Sequence, residues 1–128
     1  MRYMLLLYVS DRPDPGTPEG AEFYPPIAEF YEECQERGVL VAADPLHKPE
    51  TATTVRVRDG KTLNIDGPFA ETAEWLGGYF MLECRDLDEA LELAARHPTA
   101  KHGAVEVRPV WEVSQHGGPV ERTEVADG

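Results

Sequence analysis

The sequence predicts an α+β sandwich: an antiparallel sheet with two helices on one face. Three observations carry this. Segments with strand periodicity alternate with two helical segments in the order β-α-β-β-β-α-β. Asp59-Gly60 between two alternating runs marks a β-hairpin. The length, 128 residues with 41% hydrophobic content, suits one domain with a real core.

Residues 2–9 form the first strand. Both alternating sets are apolar or aromatic: Tyr3, Leu5, Leu7, Val9 on one side, and Met4, Leu6, Tyr8 on the other. Residues 10–20 hold three prolines, two glycines and three acids, and read as a loop. A helix is expected from about Glu22 to Arg37, with Pro25 and Pro26 in or before its first turn. Phe23, Ile27, Phe30, Tyr31 and Cys34 give it an apolar stripe, and Gly38 ends it. Val39 to Ala43 is a short strand, and residues 44–50 are a turn-rich link. Thr53–Arg58 and Lys61–Ile65 pair across Asp59-Gly60. Asp66 to Phe69 is a turn, and residues 70–76 leave room for a short helical piece.

The next strand runs from Gly77 to Cys84. Asp86 caps the second helix, Glu89 completes the capping pattern, and Leu87, Ala90, Leu91, Ala94 and Ala95 line its apolar face. His97 and Pro98 end it, where a histidine suits the helix dipole. Ala104 to Val113 is the last strand, and residues 114–128 read as a flexible C-terminal tail. This order is close to a ferredoxin-like sandwich.

Such a fold leaves one sheet face without helices. Exposing Met4, Leu6 and Tyr8 there would forfeit roughly 1.5–3 kcal/mol per side chain. A second copy of the chain is the simplest cover, so a homodimer with facing sheets is expected. The tail or the 44–52 link folded over the sheet is the alternative. Alternation along the strands collects Asn64, Asp66, Tyr79, Glu83, Glu106 and Arg108 on that face beside its apolar centre. An apolar cleft with a few polar groups is the usual form of a small-molecule site. A simple pair of Arg108 with Glu106, Glu83 or Asp66 across strands is the plainer reading.

The charge balance narrows the partners. With 12 basic and 24 acidic residues the net charge is −12, which disfavours nucleic acid and anionic membrane surfaces. No apolar run reaches the ~20 residues of a membrane span, and no signal peptide is read. Two cysteines, Cys34 and Cys84, suggest core thiols and a cytoplasmic setting. The scattered His47, His97, His102 and His116 show no metal-ligand spacing. No nucleotide motif surrounds Gly77-Gly78.

Asp66, in Asp66-Gly67-Pro68-Phe69-Ala70-Glu71, reads either as a turn residue accepting backbone N–H groups or as a desolvated carboxylate suited to proton transfer. Glu71 is a second carboxylate nearby. His102, between the second helix and the last strand, is a candidate general acid or base or a plain surface histidine. Tyr79, Glu106 and Arg108 are candidate substrate-binding groups, with Arg108 suited to an anionic or enolate-like group.

The run from Asp66 to Thr72, then Leu76-Gly77-Gly78-Tyr79-Phe80, Asp86-Leu87-Asp88-Glu89-Ala90 and His102 to Val110 resembles the YCII-related family in its DGPF-motif branch. The resemblance covers roughly residues 1–113. It implies a ferredoxin-like, dimeric fold akin to the dimeric α/β-barrel proteins, and places Asp66 and His102 within the branch motifs. One branch of the family has a proposed His–Asp dyad whose histidine lies in the first helix. Residues 22–37 hold no histidine here, so that dyad does not carry over. Branch members often have Lys where this chain has Ala73. The function expected is cofactor-free acid/base chemistry, of lyase or isomerase type, on a small molecule in a dimer-interface cleft. The alternative is a ligand sensor or partner-binding protein linked to a sigma factor, since genes of this type often sit beside sigma-factor genes.

Overall fold

The computed structural model describes residues 1–113, so the expected tail lies outside the described residues. A four-stranded antiparallel sheet has the order β2-β5-β1-β6, built from β1 (Arg2–Val9), β2 (Leu40–Pro45), β5 (Trp75–Glu83) and β6 (Ala104–Pro109). Helix α1 (Pro18–Glu36) joins β1 to β2, and α2 (Leu87–Arg96) with the short α3 (Thr99–His102) joins β5 to β6. This is the ferredoxin-like sandwich. Tyr3, Leu5, Leu7, Phe80, Leu82 and Cys84 of the sheet meet Phe30 and Cys34 of α1 and Ala90, Leu93 and Ala94 of α2 in one core. Met4, Leu6 and Tyr8 on the other face are half-buried. No helix among the described residues is long and apolar enough to cross a membrane.

The hairpin departs from expectation. β3 (Thr53–Arg58) and β4 (Lys61–Asp66) pair only with each other. Asp59 and Gly60 both have positive φ, +52° and +75°, the backbone a tight hairpin turn of this kind needs. Val55, Val57, Leu63 and Ile65 are exposed rather than packed against helices. Asn64 and Asp66 therefore do not join the open face of the main sheet. Alternation fixed which residues share a side of the hairpin, but not which layer the hairpin joins.

Both long helices also shift. Thr17 accepts the Gly20 N–H and Pro18 occupies the first helical position, so α1 starts four residues earlier than expected. Pro25 and Pro26 thus lie inside it. In α2, Asp86 accepts the Glu89 N–H as expected, but the buried face is Glu89, Ala90, Leu93 and Ala94. Leu87 and Leu91 are exposed. Glu89 sets this rotation: its carboxylate accepts from the Arg85 N–H and from Arg37 of the helix–strand corner. Residues 70–74 form no helix, and β5 begins at Trp75.

Candidate functional site

A cavity of about 540 Å³ opens between α1 and the helix side of the sheet. That is within the range of small-molecule sites. Phe23, Ile27 and Tyr31, four residues apart, present one face of α1 to it, with Tyr24, Ala28, Glu32 and Gln35 alongside. Leu7 and Val9 of β1, Ala43 to Pro45 of β2, Gly77, Gly78 and Phe80 of β5, and Thr99 complete it. The wall is mostly apolar. The apolar stripe of α1 is therefore wider than the core needs: Phe30 and Cys34 are buried, while Phe23 and Ile27 are half-buried and Tyr31 is exposed.

The floor is shaped by Gly77-Gly78. Pairing between β1 and β5 skips a residue there: Leu7 faces Gly78 and Tyr8 faces Leu76, leaving Gly77 as a bulge. The Gly77 carbonyl accepts from the Leu46 N–H (2.9 Å) and from Arg12 Nη1 (3.1 Å). A Cβ on Gly78 would lie 2.9 Å from the Asp44 carbonyl oxygen, so only glycine lets β2 approach this closely.

Arg12 stands at the mouth. Its Nη2 donates to the Leu46 carbonyl at 2.6 Å, and its guanidinium lies 5.1 Å from the centre of the Trp75 ring, in cation–π range. Arg12, Tyr24 and Pro45 also border an adjoining, more polar pocket of about 470 Å³ that includes Asp14, His47, Lys48 and Glu50. The two spaces thus share Arg12 as a common wall.

None of the six residues expected from sequence lines the large cavity. Asp66 and Glu71 border a separate depression with Pro49, Glu50 and Trp75. Asp66 is exposed, so the chain does not itself supply the desolvated setting expected for proton transfer. Nor does an Asx-turn hold it. The turn is set by Gly67, whose φ is +105°, whose N–H donates to the Ala52 carbonyl, and whose carbonyl accepts from Thr54 Oγ1. His102 is exposed at the end of α3, its ring 6.2 Å from that of Phe23, beside the cavity wall. Within one chain no hydrogen bond or ion pair joins His102 to Asp66.

Tyr79, Glu106 and Arg108 do share the open sheet face, around Leu6, which pairs with both Tyr79 and Glu106. Arg108 is taken by Glu106, to which its Nε donates at 3.1 Å; this is one of the three plain pairings the sequence allowed. Tyr79 donates to Asp44 Oδ2 at 2.9 Å, a bond that pushes its phenol pKa up.

Sequence reasoning missed Arg12, the α1 wall and the bulge. The Gly77-Gly78 pair in a strand was the available signal, since paired glycines there mark a bulge or a close approach. His97 also departs from expectation. It is wholly buried between Phe30 and Phe80, with ring centres 5.0 and 5.1 Å away. Its Nδ1 accepts the Thr99 N–H at 3.0 Å, so Nε2 carries the proton, buried and without a hydrogen-bond partner. Burial lowers its pKa to about 4. It is a neutral core residue, not a cation at a helix end. Cys34 and Cys84 are buried free thiols, pushed up to about 11 by the same desolvation.

The YCII-related domain matches residues 1–114. The chain belongs to the YCII-related family. An uncharacterized protein of Rhizobium meliloti (strain 1021) is 42% identical over 77 residues, which is 59% of this chain. The aligned region spans 62% of that relative's length. A solved structure, the 5-chloro-2-hydroxyhydroquinone dehydrochlorinase TftG from Burkholderia phenoliruptrix AC1100 in complex with 2,5-dihydroxybenzoquinone, is similar with a TM-score of 0.48 and 17% identity. That match covers 91% of this YCII-related chain and 99% of the other.

Proposed function

We propose that this YCII-related protein binds a small, mainly apolar molecule in the cavity between α1 and the sheet, and acts on it by cofactor-free proton transfer of lyase or isomerase type. The observation that carries the reading is the cavity itself: about 540 Å³, walled by Phe23, Ile27, Tyr31 and Phe80, and floored by a glycine bulge. Bulges re-aim backbone groups next to sites. Of the two acid/base residues expected from sequence, His102 lies beside Phe23 of this wall, and Asp66 lies in the separate depression. A homodimer through the open face around Met4, Leu6 and Tyr8 belongs to the same proposal.

A thermal-shift screen of small aromatic and aliphatic compounds tests the binding. A true ligand at a hundred times its Kd adds about 2.7 kcal/mol to stability. Ala28→Trp, which fills the cavity from α1, should abolish the shift. If no compound stabilises the wild type more than this variant, the cavity is not a binding site. Bound compounds incubated in deuterated water then test the chemistry: deuterium should enter at an acidic carbon, and His102→Gln should suppress it without weakening binding. No deuterium with any ligand refutes proton transfer.

A second reading, a sensor that signals to a basic protein partner such as a sigma factor, draws on the exposed Glu22, Glu29, Glu32 and Glu36 along α1. Salt-sensitive association with such a partner, changing with cavity occupancy, would favour it.

A further inference from the structure

Arg12 is out of keeping with the other arginines among the described residues. Arg2, Arg37, Arg85, Arg96 and Arg108 each have a glutamate partner. Arg56 and Arg58 sit on the exposed hairpin. Arg12 is half-buried at the mouth of an apolar cavity, yet among the described residues no carboxylate lies within ion-pair distance of it. Acid is not scarce in a chain with 24 acidic residues against 12 basic. Its partners are two neutral carbonyls and the Trp75 ring, which fix its place without cancelling its charge. Three of its five N–H groups remain for an acceptor.

The nearby carboxylates do not fill that role. Asp44 pairs in register with Tyr79 and accepts its hydroxyl on the opposite sheet face, so its side chain points away from the cavity. Glu32 is exposed at the α1 rim. In the adjoining pocket, Lys48 and His47 stand beside Asp14 and Glu50, none of them in an ion pair with Arg12. Charge-assisted bonds to a planar fork favour a carboxylate at Arg12.

We propose that the ligand is an amphipathic carboxylate: an apolar body seated against Phe23, Ile27 and Phe80, and a carboxylate held by Arg12 on the side that opens toward Lys48. This rests on the small-molecule reading above and names the class of molecule it takes. Arg12 would then be a specificity residue, beyond its part in tying the 10–16 loop to β5.

Calorimetry with naphthoate and its neutral amide, naphthamide, on the full chain separates the two ideas. The wild type should bind naphthoate about tenfold more tightly than naphthamide, the effect of one charge-assisted contact. Arg12→Gln should bind the two alike. Ala28→Trp should bind neither. Equal binding of both by the wild type, or a preference that survives in Arg12→Gln, overturns the carboxylate assignment and leaves the cavity reading standing. Binding of neither compound by the wild type counts against the cavity reading and this one with it. If Arg12→Gln does not fold, the Arg12 Nε–H resonance of the nitrogen-labelled wild type decides. It should move with naphthoate and stay with naphthamide, and an unmoved signal refutes the assignment.

Discussion

Replacing His97 tests how the core shapes the pH dependence of stability. The imidazole is wholly buried against Phe30 and Phe80, and its pKa falls from 6.5 to about 4. The unfolded chain therefore binds a proton below pH 6.5 that the folded chain refuses until about pH 4. Between those values the unfolded state holds more protons, so stability rises with pH. Above 6.5 the folded state owes nothing to this group. Toward pH 4 the loss from it grows to roughly 3 kcal/mol. His97→Asn keeps an acceptor near the position of Nδ1 for the Thr99 N–H and removes the titration. The variant will be less stable at neutral pH because the ring's packing is lost. That offset is constant, and the slope is the readout. Urea unfolding of both proteins from pH 4 to 7 should show the stability gap between them shrinking as pH falls, by about 2–3 kcal/mol across the window. The carboxylates common to both proteins cancel in the difference. A gap independent of pH would refute the burial argument.

Three further outcomes follow from the packing. Leu93→Ala should cost about 2–5 kcal/mol and Leu91→Ala no more than about 0.5, because only Leu93 is buried; chemical denaturation that ranks them otherwise would reverse the assignment of the α2 face. Gly78→Ala should destabilise by about 1–3 kcal/mol, since its Cβ would meet the Asp44 carbonyl, and denaturation curves matching wild type would contradict that contact. Leu6→Asp, at the centre of the open face, should convert a two-chain mass to a one-chain mass in analytical ultracentrifugation. A wild type that sediments as a single chain refutes the dimer.

The sandwich was legible because its signals are local and repeated. β1 is an apolar run of strand length, Asp59-Gly60 closes a hairpin, and Asp86 caps α2. The start of α1 was also written in Thr17-Pro18, but the Pro25-Pro26 pair argued louder for a boundary. The rotation of α2 was not legible, because Leu87, Leu91 and Leu93 are equally apolar and a tertiary contact, Arg37 to Glu89, selects among them. The site was least legible. Its parts come from the 10–16 loop, α1, β2 and β5, and only the fold brings Arg12 to Gly77 across 65 positions of sequence. The expected residues were chosen by motif and alternation: Asp66 ends the hairpin, Glu71 follows it in a loop, His102 ends α3, and Tyr79, Glu106 and Arg108 take the open face.

A crystal structure of the wild-type chain soaked with naphthoate bears most directly on whether the α1 side of the sheet is where this protein takes up small molecules. The compound should lie between Ile27 and Phe80 with its carboxylate on Arg12. Density seated instead on the opposite face, against Leu6 and Tyr79, with the α1 cavity unchanged, would contradict it.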